Sequence, residues 1–527
     1  MLVESAKLVE PTVGATAIRR RWVWPTVAAV SATAFAVPFG YLILEAISRN
    51  GIWDAISEDR TIGALRRSVQ MAVTVTVLAT IVGTALAWLT VRTDLPGRRV
   101  FRVIVALPLV IPSFVGAHAY ISATARGGLL DQAFGWSGLP EVRGFSGAVF
   151  VLTALSYPYV YLPVAARFAS LPPSYEEGAR MLGRSSRSIL TTIVLPQSAP
   201  SILSGALLVM LYCLSDFGAV NFVQYDTLTR KIFEAQLDPA RSIAFSLLLG
   251  VIAIVVAAGE RLVHRRLPVI AGVSSKQPVR YRLGRLRVVA AAGVSVVTAI
   301  VFVIPVGVLA WWVIRGRRSG GRRSRAVDLP DVTINSTWIG IITAIVTVAV
   351  ILPLAWVLAR HRSRFASAMS TIVTGAFALP GIVIALTMVQ MFVGTALYQT
   401  YTVLIIAYAV HFGGQALGAS QATVASVPKR LHEVAQLLGA GALRRLVSID
   451  LRLMLPGLAA AGGLVLLSVL KELPTTLMLR PIGVNTLATR INGTVQEALL
   501  LDAGQLSLIL IALSAVLTWF LVLRRQR

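Results

Sequence analysis

The chain is poor in charge, poorer in lysine and almost without cysteine. Charged residues make up 14% of its 527 positions. An average soluble protein carries about 25%, so a soluble multidomain enzyme is excluded. The one cysteine, Cys213, has no partner within the chain, which excludes a disulfide-stapled scaffold. Disorder is excluded because disordered chains are polar and highly charged, whereas 56% of this chain is hydrophobic and its mean hydropathy is +0.76. A G-x-x-x-x-G-K-[ST] phosphate loop is also missing. None of Lys7, Lys231, Lys276, Lys429 and Lys471 follows the required glycines. Any energy the protein uses must come from a partner or an ion gradient. No catalytic triad, metal-ligand cluster or dinucleotide fingerprint is present, so no bound cofactor and no metal is expected.

What is there is long apolar runs. Crossing about 30 Å of hydrocarbon takes roughly 20 residues of helix. Twelve such runs are expected, near 23–47, 68–91, 103–122, 146–168, 197–218, 243–262, 288–314, 338–359, 368–393, 400–420, 456–475 and 500–523. Each must satisfy its own backbone hydrogen bonds, and the alternation of a membrane barrel is absent. The fold class is therefore an all-α polytopic membrane protein.

Net charge is +26, from 49 basic and 23 acidic residues. In a soluble protein that balance suggests nucleic acid. Here the arginines collect in loops beside apolar spans, as the positive-inside rule and anionic headgroups favour. The expected partner is the lipid bilayer, not nucleic acid. The basic cluster Arg19-Arg20-Arg21 precedes a full-length span, not a short cleavable one, and reads as the end of a cytoplasmic tail. Twelve spans then put both termini in the cytoplasm, and the loops on that side hold the larger share of the basic residues. One segment runs against the bias: Arg315, Arg317, Arg318, Arg322, Arg323 and Arg325 fall outside by parity.

The chain repeats itself. "TIGALRRSVQ" from Thr61 parallels "TINSTWIGII" from Thr333, and "ALPLVIPSFVGA" from Ala106 parallels "ALPGIVIAL" from Ala378, both 272 residues apart. "SLPPSYEEGARMLG" from Ser170 parallels "SVPKRLHEVAQLLG" from Ser426 at 256. The first half is longer between these blocks, in the polar segment Thr124 to Gly144. Both halves hold six spans, so the repeat is parallel. The expected domains are a tail (1–21), a first half (22–263), a cytoplasmic linker (264–287) and a second half (288–527). A pathway along the axis between the halves is the natural site of action.

Between the fourth and fifth spans stands "EGARMLGRSSRSILTTIVLP", with Glu177, Gly178, Ala179, Gly183, Ile193, Leu195 and Pro196. Between the tenth and eleventh the pattern recurs as "EVAQLLGAGALRRLVSIDLR", with Glu433, Ala435, Gly439, Ile449 and Leu451. Val434 stands at a small position and Arg452 where the first copy has proline. Pro200 and Pro456 are shared further on. A glycine permits a sharp elbow, and a short amphipathic helix can dock in a groove. Arg180, Arg184, Arg187, Arg444 and Arg445 can add charged contacts at the rim. The plainer alternative is an amphipathic loop whose arginines serve headgroups; it explains neither the spacing nor its recurrence.

These two segments resemble the EAA loop of ATP-binding-cassette (ABC) importer permeases. The resemblance implies a type I importer fold and a transport subunit without catalysis of its own. It further implies two copies of a cytoplasmic ATPase beneath the loops, which use ATP and Mg, and an extracytoplasmic binding protein that delivers the substrate. The location implied is the bacterial inner membrane. An ion-coupled transporter of twelve spans is the alternative from another class; the paired loops and the few acidic residues in the spans weigh against it. A membrane-bound enzyme would need polar groups clustered at one depth.

"LSDFGAVNFVQYDTLTR" from Leu214 and "LKELPTTLMLRPIGVNTLATRI" from Leu470 are similar to the fused ferric-iron permeases of the Fbp/Afu type. Thiamine, polyamine, sulfate and phosphonate permeases share that architecture. Asp216 and Glu472 stand 256 apart, the offset of the coupling loops. Charge at membrane depth is costly and tends to be functional. Two carboxylates facing each other across the axis would attract a cation such as ferric iron or thiamine. The structural alternative is an ion pair to Lys471 or Arg480, or a contact with the binding protein. His118 and His411 lack a ligand at i+3 or i+4 and read as packing or pore-lining residues. Cys213 reads as core, Tyr157, Tyr159 and Tyr161 as packing or interfacial aromatics, and Gly116, Gly375 and Gly381 as points of close helix approach.

Overall fold

A computed structural model describes residues 15–136, 138–266, 279–318, 329–360 and 364–520. Everything regular in it is helix, apart from one isolated bridge between Thr93 and Tyr281. Ten helical segments are long and apolar enough to cross a membrane: Thr26–Ser48, Asp59–Arg92, Gly144–Ser170, Ser186–Ser215, Pro239–Gly259, Leu286–Arg318, Leu329–Arg360, Tyr401–Ser426, Leu446–Leu470 and Leu500–Thr518. The runs expected as spans three and nine are not straight. They are the pairs Arg98–Val110 with Ser113–Thr124, bent by 100°, and Arg364–Ala378 with Gly381–Phe392, bent by 99°. Proline is the cause. Pro112 and Pro380 each stand immediately before the second helix of a pair. Neither can donate to the preceding turn, and each pushes its neighbour out of the helical region.

Contacts between loops decide whether the bent pairs cross. The end of span two meets the helix after span four, where Arg92 pairs with Glu176 at 2.7 Å. The amide of Gly144, at the start of span four, donates to the carbonyl of Val223, beyond the far end of span five, at 2.7 Å. Arg92 and Gly144 therefore lie on opposite faces, so the first bent pair crosses. In the second half Arg360 donates to the Val427 carbonyl at 3.0 Å, which makes the second pair cross as well. Counted this way there are twelve crossings, six per half. The same logic sets the basic end of span seven on the face opposite Arg92 and Glu176: Trp312 donates to Ser122 there at 3.0 Å, and Gly316 lies against Leu501. Arg322, Arg323 and Arg325 lie outside the described residues, as do residues 1–14 of the tail and 267–278 of the linker. The first helix begins at Ala15, inside the segment expected as tail.

The halves are related by matching contacts as well as by matching words. The Ser68 hydroxyl accepts from the Leu228 amide at 2.8 Å, and the Ser336 hydroxyl from the Leu487 amide at 2.6 Å. Ser68 and Ser336 stand 268 apart, as do Arg92 and Arg360. The register expected from Thr61 and Thr333 is thus four residues off within span two. The offset of 272 expected at Ala106 and Ala378 is four off as well, since the bend prolines Pro112 and Pro380 stand 268 apart. The first span of each half packs on the other half. Span one lies against spans eight and nine, with Phe35 filling the space a side chain at Gly413 would need. Span seven lies against Ser113–Thr124, where the Tyr120 hydroxyl donates to the Ile300 carbonyl at 3.1 Å. This exchange buries apolar residues of each half against the other.

Candidate functional site

The segment expected to couple in the first half begins with a nine-residue helix, Pro173–Met181. Pro173 suits its first turn, where the missing N–H is not needed. The helix ends in a Schellman turn. Gly183 N donates to Arg180 O at 2.9 Å and Arg184 N to Ala179 O at 3.0 Å, with Gly183 at φ +76°. The second half builds the same turn after Lys429–Leu437. Gly439 N donates to Gln436 O at 2.9 Å, and Ala440 N to Ala435 O at 2.9 Å, with φ +74° at Gly439. Both glycines therefore answer a left-handed backbone, and a side chain there would meet nothing within 4 Å.

The small residues Ala179 and Ala435 face inward, 7% exposed in each case, where a larger side chain would lift the helix off the bundle. Glu177, Gly178, Glu433 and Val434 are exposed. Among the described residues neither Glu177 nor Glu433 has an ion-pair partner. Ile193, Leu195, Ile449 and Leu451 are half-buried, and Pro196 is exposed. Ile193 falls on a π-helical turn, Leu190–Val194, and Ile449 and Leu451 on another, Leu446–Leu451, whereas Leu195 and Pro196 open the α-helix that follows the first of them. Sequence reading missed the apolar tips. Met181 and Leu182 are 90% and 82% exposed, and Leu437 and Leu438, 256 residues on, are 87% and 80% exposed. Their place just before the elbow glycine was the available signal. Arg180, Arg184, Arg187 and Arg444 are exposed around them and Arg445 is half-buried. Each of these two helices thus presents an apolar tip, an exposed carboxylate and a basic rim on the same face of the molecule.

The second element is a cavity of about 300 Å³ between the halves. Asp216 and Glu472 both line it, with Ser113, Tyr159, Tyr212 and Ser215 from the first half and His411, Gln415, Ser468 and Lys471 from the second. The two carboxylates do the same local job. Asp216 accepts from the Ala219 amide at 2.8 Å, and Glu472 from the Thr475 amide at 3.3 Å and the Thr475 hydroxyl at 2.7 Å. Each sits at the start of a short helix, Gly218–Phe222 or Pro474–Leu479, where orphan amides and the helix dipole favour negative charge. Both lie against the bend of the preceding broken span. Gly218 touches Phe114, and Gly381 leaves room for the Glu472 carboxylate, which a side chain there would meet at 2.5 Å. The proline bends therefore open the space that the carboxylates line.

Neither cation expected as a structural partner pairs with these acids among the described residues. Lys471 donates to the Leu109 carbonyl at 3.0 Å, and Arg480 to Asn485 and to the Val484 carbonyl. His411 lines the cavity. His118 lies apart from it, 5.3 Å from the rings of Phe222 and Trp312. No group of three metal-ligating side chains occurs among the described residues. Cys213 is buried and unpaired. Tyr157 and Tyr161 donate to the carbonyls of Val105 and Arg102, whereas Tyr159 faces the cavity beside Tyr212. Gly116 packs closely on Leu155, but nothing lies within 4 Å of a side chain built at Gly375. The close approach expected at Gly375 is absent because that face of its helix is open.

The chain matches the family model described as "Binding-protein-dependent transport system inner membrane component" twice, over residues 79–269 and 351–526. It is 30% identical over 492 residues to the Fe(3+)-transport system permease protein FbpB 2 of Haemophilus influenzae, covering 91% of this chain and 94% of that one. A molybdenum transport system permease protein ModB of Mycobacterium bovis is 28% identical over 45% of this chain and 92% of its own length. The sulfate transport system permease protein CysT of Salmonella typhimurium is 25% identical over 32% of this chain and 62% of its own length. Two coupling segments in register, twelve apolar crossings and a double match to one model lead to one conclusion: the chain belongs to the family of binding-protein-dependent transport system inner membrane components, as a multi-pass membrane permease with two copies of the family unit fused in tandem.

Proposed function

We propose that this permease forms the pathway of an ABC importer for ferric iron. Two copies of a cytoplasmic ATPase dock on Pro173–Met181 and Lys429–Leu437. Glu177 and Glu433 meet basic groups on that partner, and Met181, Leu182, Leu437 and Leu438 enter its apolar groove. ATP and Mg are used by the ATPase, and closure of the pair rocks the halves, 22–263 and 288–527, about their shared axis. An extracytoplasmic binding protein delivers the cargo on the opposite face, and both termini lie in the cytoplasm of a bacterial cell.

One observation carries this reading: the two elbows have the same backbone, the same exposed acid and the same apolar tip, and they sit on one face. Iron as cargo is supported by the relative that spans nearly the whole chain and by two carboxylates in the cavity. The two carboxylates outnumber the one lysine lining the cavity, Lys471, so an oxyanion such as sulfate or molybdate is disfavoured there, each like charge about 6 Å away costing about 3 kcal/mol at an effective dielectric of about 20. Uptake of labelled iron, molybdate and sulfate by cells that differ only in this gene tests the cargo. The expected result is loss of iron uptake alone. Loss of oxyanion uptake with iron uptake intact would refute the assignment of cargo.

A further inference from the structure

A buried charge cluster lies away from the cavity, where the inner side of the helix Pro173–Met181 meets the linker. Arg92, at the end of span two, pairs with Glu176 at 2.7 Å, with side chains 0% and 2% exposed. The Tyr281 hydroxyl, from the linker between the halves, donates to the other Glu176 oxygen at 2.6 Å. Arg180, one turn along the same coupling helix, lies 5.0 Å over the Tyr281 ring, and Trp88 lies 4.9 Å from it. The linker backbone is fastened beside it. Tyr281 N donates to Arg92 O at 2.8 Å and Asp94 N to Tyr281 O at 3.3 Å, while Leu283 N donates to the Asp94 carboxylate at 2.9 Å. Span seven starts three residues later, at Leu286. Burial, and Glu176 as acceptor, push the Tyr281 phenol up to about 12, so it stays protonated and a donor at neutral pH.

Among the described residues the second half shows no equivalent ion pair. His432 stands where Glu176 would be. Arg360 donates to the Val427 carbonyl and lies over the Trp356 ring. A buried ion pair is weak evidence of added stability and better evidence of a fixed geometry. What it fixes here is the first coupling helix against the opening of the second half.

We propose that Tyr281 is a positioning residue for energy coupling: it ties the helix Pro173–Met181, through Glu176, to the start of span seven, so that one docked ATPase moves elements of both halves. This rests on the reading of the chain as the permease of an ATP-driven importer.

The test uses the whole transporter, captured through a tag on this chain and reconstituted with its binding protein. Labelled iron moved per ATP hydrolysed is the readout. Tyr281→Phe keeps the ring between Trp88 and Arg180 and removes only the hydroxyl. A lost hydrogen bond to a charged group shifts a two-state equilibrium by roughly tenfold. Iron per ATP is expected to fall about fivefold or more, with ATPase still bound and ATP hydrolysis within about twofold of the parent. An unchanged ratio, or an equal fall in both rates, would overturn the proposal. A second arm serves if that variant assembles poorly. In Asp94→Cys/Leu283→Cys, which also removes the Asp94 carboxylate, a short bifunctional thiol reagent joins strap to span two. The native thiol, Cys213, is buried, and transport is compared for this same variant before and after the reagent. Transport should survive the cross-link; arrest would show that the strap must open and would overturn it. If the parent complex brings down no ATPase, the functional reading fails first, and separately.

Discussion

Replacing Gly183 and Gly439 together with valine is expected to lower the ATPase recovered with the purified permease by about tenfold or more. Both sites hold φ near +75°, +76° and +74°. A left-handed backbone costs an ordinary residue about 1–2 kcal/mol, and a β-branched one more. Nothing lies within 4 Å of a side chain built at either position, so the penalty is conformational and not steric. Two independent elbows then lose their geometry additively. Gly178 supplies the control. It is exposed, lies inside the helix Pro173–Met181, and a side chain there meets nothing within 4 Å. Gly178→Ala should keep full ATPase capture, since alanine favours the helix by about 1 kcal/mol. Full capture by the valine pair would mean that the elbows do not position the partner.

Neutralising the cavity acids has the second large effect. Asp216→Asn with Glu472→Gln preserves volume and leaves an oxygen to accept from Ala219 and Thr475, so the short helices stay capped. What disappears is two negative charges. Each unit charge about 6 Å from a cation contributes about 3 kcal/mol at an effective dielectric of about 20. Iron uptake should therefore fall by well over tenfold, while ATPase capture and binding-protein affinity stay at parental values. Normal uptake by the double variant would reduce both acids to capping residues.

The parts legible in the sequence were those that repeat and those that one residue type dictates. Gly183 and Gly439 were readable because their backbone requires glycine, and because two copies stood 256 apart. Asp216 and Glu472 were readable by the same offset, although their role as caps of the next helix was not. The bends of spans three and nine were missed, because a run of apolar residues long enough to cross reads as straight. Pro112 and Pro380 were the signal, and they lie in the very words used to detect the repeat. The register over span two was misread because Thr61 and Thr333 match in letters, whereas Ser68 and Ser336 match in contact. The strap of Arg92, Glu176 and Tyr281 left no periodic trace. Its members are far apart along the chain, and only folding brings them together.

The central claim is that a separate nucleotide-hydrolysing motor drives this duplicated bundle through its two matched elbows. The most direct measurement reconstitutes the purified chain into vesicles with binding protein and labelled iron, with and without the ATPase and ATP. Accumulation only when both are present is the predicted result. Accumulation by the permease alone, driven by an ion gradient, would contradict it.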